Sequence, residues 1–84
     1  APRGYAAAVR ELQGELAAGR DGLDSTTVRV VEEKLALIDR AIADAERALA
    51  ADPANTYLHG HLMRTRMRKL DLLRRAAALT HAVS

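Results

Sequence analysis

Residues Val28 to Leu49 read VRVVEEKLALIDRAIADAERAL, and this stretch decides the fold. The apolar positions Val28, Val31, Leu35, Ile38, Ile42, Ala45 and Leu49 alternate at spacings of three and four. That rhythm puts them on one stripe of an α-helix and predicts an a/d seam running through about three heptads. Val30, Leu37, Ala41 and Ala48 lie beside the stripe and widen it into a face that suits more than one neighbour.

Working outward, the chain breaks on either side of this helix. Upstream, Gly19-Arg20-Asp21-Gly22-Leu23-Asp24 offers glycine at a helix C′ position and aspartate as the N-cap of the next helix. Downstream, Ala51-Asp52-Pro53-Ala54-Asn55 stops the helix, because proline disfavours helical geometry in the residue before it and is tolerated at the first position of a new helix. Asp52 or Asn55 can then supply the cap. The pattern predicts helices over about 4–18, 25–50 and 53–81, with domain bounds of 1–84. Tyr5, Val9, Leu12 and Leu16 form the stripe of the first helix. Leu58, Leu62, Leu70, Leu73 and Ala77 form that of the third, with Arg66 in its middle. The link at Asp52-Pro53 is too short for anything but an antiparallel hairpin. The expected fold is all-α: a long antiparallel helical hairpin with a shorter N-terminal helix, a three-helix bundle able to dimerise.

Composition agrees. Hydrophobic residues are 49% of the 84, but 18 of those residues are alanine, and Cys, Trp and Phe are absent. Without cysteine there is no disulfide scaffold, no Cys-type zinc site and no thiol nucleophile. No apolar run approaches the ~20 residues that span a bilayer, and the first residues hold no signal-peptide h-region. A core so diluted by alanine favours association, either through a homodimer or with a partner helix, while a monomeric bundle completed by helix 1 is the alternative.

Charge divides with the helices. Residues 24–52 carry four bases and seven acids, and residues 53–84 carry six bases and one acid. An acidic helix beside a basic one favours antiparallel pairing with no ligand involved. The run from Arg64 to Arg75 is the most functional-looking segment. Arg64, Arg68, Lys69 and Arg75 could form a basic face for nucleic acid or an anionic membrane surface. No aromatic side chain is interleaved for stacking and no helix–turn–helix is evident, which weighs against nucleic acid.

The remaining candidates are weaker. His59 and His61 are two residues apart and diverge on a helix, while His59 and Met63 have the i, i+4 spacing of a soft-metal pair but need further ligands. No metal or other cofactor is therefore expected. Ser25-Thr26-Thr27 after Asp24 is a helix-start signal with no base at a recognisable spacing. Asp39, Asp44 and Glu46 are helix-surface charges, with Arg40 and Asp44 at pairing distance along the helix. A thin hairpin offers little cleft for a catalytic carboxylate pair, so no enzymatic activity is expected.

One further pattern covers most of the chain. Tyr5, Gly19-Arg20, Leu23-Asp24-Ser25-Thr26-Thr27-Val28, Val31-Glu32, Leu35, Ile38-Asp39, Ala41-Ile42, Ala48-Leu49, Asp52-Pro53, Asn55, Tyr57-Leu58, Lys69 and Leu72-Leu73-Arg74 succeed one another in an order that resembles the C-terminal region of bacterial membrane-anchored anti-sigma factors of the zinc-finger type. In that family a cytoplasmic zinc-binding domain holds a sigma factor, and a transmembrane helix leads to an alanine-rich helical region outside the membrane. The His-x-x-x-Cys-x-x-Cys motif and the membrane helix have no counterpart here. The resemblance thus implies an extracytoplasmic, periplasmic-side piece of a longer protein, tethered to the membrane through that protein. It implies a regulatory or sensory interaction domain carrying no sigma-binding residues, with a mechanism of altered hairpin packing or dimer state. Independently of the resemblance, the heptad stripe Val28, Val31, Leu35, Ile38, Ile42 and Leu49 is the seam offered either to the bundle's own core or to a partner. Ala41-Ile42, Ala48-Leu49, Asp52-Pro53 and Asn55 also resemble the end of a tetratricopeptide repeat, but no 34-residue period recurs.

Overall fold

The computed structural model describes residues 4–82 as three helices: α1 (Tyr5–Gly19), α2 (Ser25–Ala51) and α3 (Thr56–Ala82), with a single 3₁₀ turn at Arg20–Gly22. The fold is all-α. At 1.5 Å per residue α2 and α3 are each about 40 Å long, close to the 47 Å long axis of the molecule.

Local chemistry explains the boundaries. Gly19 does not adopt the left-handed C′ geometry that its position suggested; its φ is −102°. The chain instead tightens into the 3₁₀ turn and leaves it when the Leu23 N–H bonds the Arg20 carbonyl at 3.0 Å. Asp24 stands at the N-cap of α2 without a side-chain capping bond. At the hairpin, α3 begins at Thr56 and not at Pro53. If Asp52 both ended α2 and capped α3, no residues would be left to reverse the chain. The reversal occupies 53–55, and Asn55 becomes the cap: its Oδ1 accepts the Leu58 N–H at 3.0 Å while its Nδ2 donates to Asp52 Oδ2 at 3.0 Å. Asn55→Ala removes both bonds. It is expected to cost about 1 kcal/mol, within the usual 0.5–2 kcal/mol of a lost N-cap, measurable as a drop in the urea midpoint at unchanged slope.

The central helix is α3. Both α1 and α2 pack along it, and they make little direct contact with each other. Sequence periodicity pointed to α2 as the element with several neighbours; the structure gives that place to α3, which buries Leu62, Thr65, Leu70, Leu73, Ala76, Ala77 and Thr80. The physical reason is small side chains. Ala76, Ala77 and Thr80 let helices approach closely from two directions toward the C-terminal end of α3. Directions are set by contacts. Tyr5 lies by Arg66 and Gly19 by Thr80, so α1 runs parallel to α3. Glu46 meets Arg66 and Asp39 meets Lys69, so α2 runs antiparallel to it.

The core centres on Val9, Leu70 and Leu73, with Tyr5, Ala8, Leu12, Leu16 and Leu35 packed around them. Two helices flanking a third make a layer measuring 47 × 33 × 14 Å. Its radius of gyration, 14.6 Å, exceeds the roughly 12 Å of a compact chain of this length. Much apolar surface therefore stays near solvent.

Candidate functional site

Because α1 and α2 diverge from a shared contact with α3, an apolar cleft opens between them. Leu16 and Ala17 of α1 form one wall, Val28, Val31 and Leu35 of α2 the other, and the fully buried Leu73 of α3 lies beneath. Leu23 closes the end beside the 3₁₀ turn, and the cleft volume is about 220 Å³. At its edge Arg20 Nη2 reaches Glu32 Oε1 at 2.7 Å. Both side chains are more than half exposed, so this ion pair ties the 3₁₀ turn to α2 only weakly. The same pair borders a polar trough containing Asp21, Ser25 and Arg29. The apolar cleft and a charged rim thus meet at the chain reversal between α1 and α2.

The seam residues separate on this frame. Val31 is buried, while Val28, Leu35, Ile38, Ile42 and Leu49 are half-buried on the inner side of α2. Leu35 packs on the core, and Val28, Val31 and Leu35 also face the cleft. Val30 and Leu37, predicted to widen the seam, are 40% and 67% exposed.

Three of the four predicted basic-face residues share one exposed face of α3, and the fourth leaves it. Arg64, Arg68 and Arg75 are exposed, but Lys69 turns inward, its Nζ 2.6 Å from Asp39 Oδ1. Spacing explains the split: Arg64, Arg68 and Arg75 fall within a narrow arc at 100° per residue, and Lys69 lies a third of a turn away. Arg75 is held by Asp71 at 3.0 Å, and an open trough on this side mixes Met63 and Met67 with Arg64, Arg68 and Asp71. Asp44 takes Arg47 as its partner, where the sequence offered Arg40. The soft-metal pair is not assembled either: a ring nitrogen of His59 lies 2.8 Å from the Pro53 carbonyl. His61 stacks on Tyr57 with ring centroids 6.3 Å apart. Among the described residues no three His, Cys, Asp or Glu side chains converge on a metal position.

Sequence reasoning missed a polar group at the start of α1. The Arg66 guanidinium lies 5.4 Å from the centre of the Tyr5 ring, and its Nη2 is 3.5 Å from Glu46 Oε2. The signal was present: an arginine inside an apolar stripe must face inward and find partners. The Tyr5 hydroxyl and Arg66 Nε are shielded from solvent without a hydrogen-bond partner among the described residues. Burial pushes the Tyr5 phenol above its ordinary pKa, opposed by the charges of Lys69 and Arg66 and assisted by those of Asp39 and Glu46. A raised phenol pKa contributes stability that is fully present below about pH 10 and is lost as pH rises through the folded value. Tyr5→Phe keeps the ring on Arg66 and removes the unpaired hydroxyl. Denaturant titrations are expected to show equal or greater stability at neutral pH, with the advantage over the parent chain widening above about pH 10.

Compared with family models, with curated proteins and with solved structures, the chain finds no match.

Proposed function

We propose that this domain is a non-enzymatic regulatory interaction module, working as the extracytoplasmic part of a membrane-anchored anti-sigma factor. The observation that supports it most is the cleft between α1 and α2. An apolar slot above Leu73, bounded on one side by a short helix and a single exposed ion pair, suits a partner's hydrophobic side chain better than a reaction. Filling it would spread α1 and α2 apart across their shared contacts with α3. A change in the spread of two helices about a third is the kind of two-state element that a sensor needs. A basic module acting through Arg64, Arg68, Lys69 and Arg75 draws less support, since Lys69 is turned inward and Asp71 sits among the others.

The test uses the full-length protein and a sigma-dependent reporter. Ala17→Leu and Val28→Phe, which fill the cleft from opposite walls, are expected to abolish the regulated change in reporter output, as deletion of residues 4–82 does. Circular dichroism checks that the variants remain helical. Folded, cleft-filled variants with an unaltered regulated response would rule the proposal out.

A further inference from the structure

We infer that the outer flank of α2 is a self-association surface that takes a second copy of this chain in antiparallel register. The flank comprises Val30, Lys34, Leu37, Ala41, Asp44 and Ala48, spaced 4-3-4-3-4 as the a and d positions of a helical pair. It lies about a quarter turn from the side of α2 that faces α3, so both sides can be occupied at once. Val30 and Leu37 are its large apolar side chains, 40% and 67% exposed. No other described helix covers them.

The choice of a second copy comes from the order of residues along this flank. Reversed about Asp39, the flank is complementary to itself. Val30 falls opposite Ala48 of the other copy, Leu37 opposite Ala41, and Lys34 opposite Asp44. In antiparallel helical pairs, core layers join an a position to a d position of the partner, and these three matches obey that rule. Two layers set a large side chain against a small one, and the third sets a cation against an anion. A two-fold axis repeats each match, giving two Lys34–Asp44 pairs per dimer. In the single chain Asp44 is engaged by Arg47 in an exposed pair, which is worth little and is readily exchanged. The same register brings Arg47 near Glu33 of the other copy and sets the two copies' Arg40 side chains beside each other at the two-fold, a like-charge contact that weakens the pairing. The matched segment is about 27 Å long, and the two-fold places both α3 helices on one side of it, where Arg64 and Arg68 of the copies repel. Both features keep the association weak and reversible.

The chain has no cysteine, so cross-links report register cleanly. In the Val30→Cys/Ala48→Cys double variant the two thiols of one chain lie about 27 Å apart along α2, far beyond disulfide reach. Mild oxidation is expected to give a covalent dimer from the double variant and almost none from either single variant, whose thiols would also be about 27 Å apart in this register. Sedimentation equilibrium from about 10 µM to about 1 mM is expected to show mass rising from 9.1 kDa toward twice that value. Lys34→Glu and Asp44→Lys should each weaken association by about tenfold, and combining them should restore it. Leu37→Glu should abolish association with helicity unchanged. A monomer throughout that range, an uncross-linked double variant, or single variants that cross-link equally well would each overturn the inference. None of these outcomes bears on the cleft between α1 and α2, which faces the other way.

Discussion

Leu73→Ala is expected to destabilise the domain by about 3 kcal/mol, in the range of 2–5 kcal/mol for buried leucine truncations. Leu73 is 0% exposed and is the one large side chain wholly removed from solvent among the described residues. It joins α1 to α3 through Val9, to its own helix through Leu70, and floors the cleft walled by α2. The full transfer free energy of the lost carbons therefore applies. The cavity contribution is smaller than in a closed core, because Leu16 and Leu35 border an open cleft and can relax into the vacated space. Domains of this size have a total stability of roughly 4–13 kcal/mol at 0.05–0.15 kcal/mol per residue. A loss of about 3 kcal/mol lowers Tm by roughly 12–24 °C at 4–8 °C per kcal/mol. Leu79→Ala, at a side chain 44% exposed, serves as the comparison and should change stability by about 0.5 kcal/mol or less. Thermal unfolding followed by circular dichroism separates the two, and equal effects would show that Leu73 is not the centre of the core.

Gly19→Ala is the second large effect. It runs against propensity, since alanine is the better helix former. A Cβ at Gly19 would lie 2.3 Å from Thr80 Cβ and 2.8 Å from both Thr80 Cγ2 and Oγ1, whereas carbon atoms pack at about 3.5–4.0 Å. Thr80 is 7% exposed, and its hydroxyl donates to the Ala77 carbonyl at 2.6 Å, so it cannot swing aside. The end of α1 must lift from α3, at an overpacking cost of about 1–3 kcal/mol. A double-mutant cycle identifies the cause. Thr80→Ala retains the closest atom, Cβ, and is expected to relieve little, whereas Thr80→Gly removes it and should recover most of the loss beyond its own helix cost of about 1 kcal/mol. Full rescue by Thr80→Ala would locate the conflict in the hydroxyl or methyl and not in the approach of the helix backbones.

How far the molecule was legible varied with the range of the interaction responsible. The heptad spacing of Val28 to Leu49 and the Asp52–Asn55 break were enough for a helical hairpin, because periodicity and capping act within a few residues. Boundaries moved where two local signals competed, as at Pro53, a candidate helix start that the reversal and the Asn55 cap displaced. Counting charges puts Lys69 on a basic face because a count ignores direction, and its inward turn depends on Asp39 of α2. The cleft had no local signal. Leu16, Val28 and Leu35 are ordinary core-facing residues in their own helices and Ala17 is an exposed one, and they border an opening only because α1 leans on α3.

By itself, the sequence determined the class of structure: alanine-rich helices, their stripes, and an acidic helix answering a basic one. Those features arise from 3.6-residue periodicity, from caps and from charge sign, all of which can be read along one chain. Tertiary structure decided which helix is central, and it chose α3, whose small residues Ala76, Ala77 and Thr80 admit neighbours on two sides. It also decided which apolar residues remain outside. Val30 and Leu37 extend the same pattern as Val31 and Ile38. A rotation of one residue's worth around the helix axis separates the flank open to another chain from the side turned toward α3, and only packing fixes that rotation.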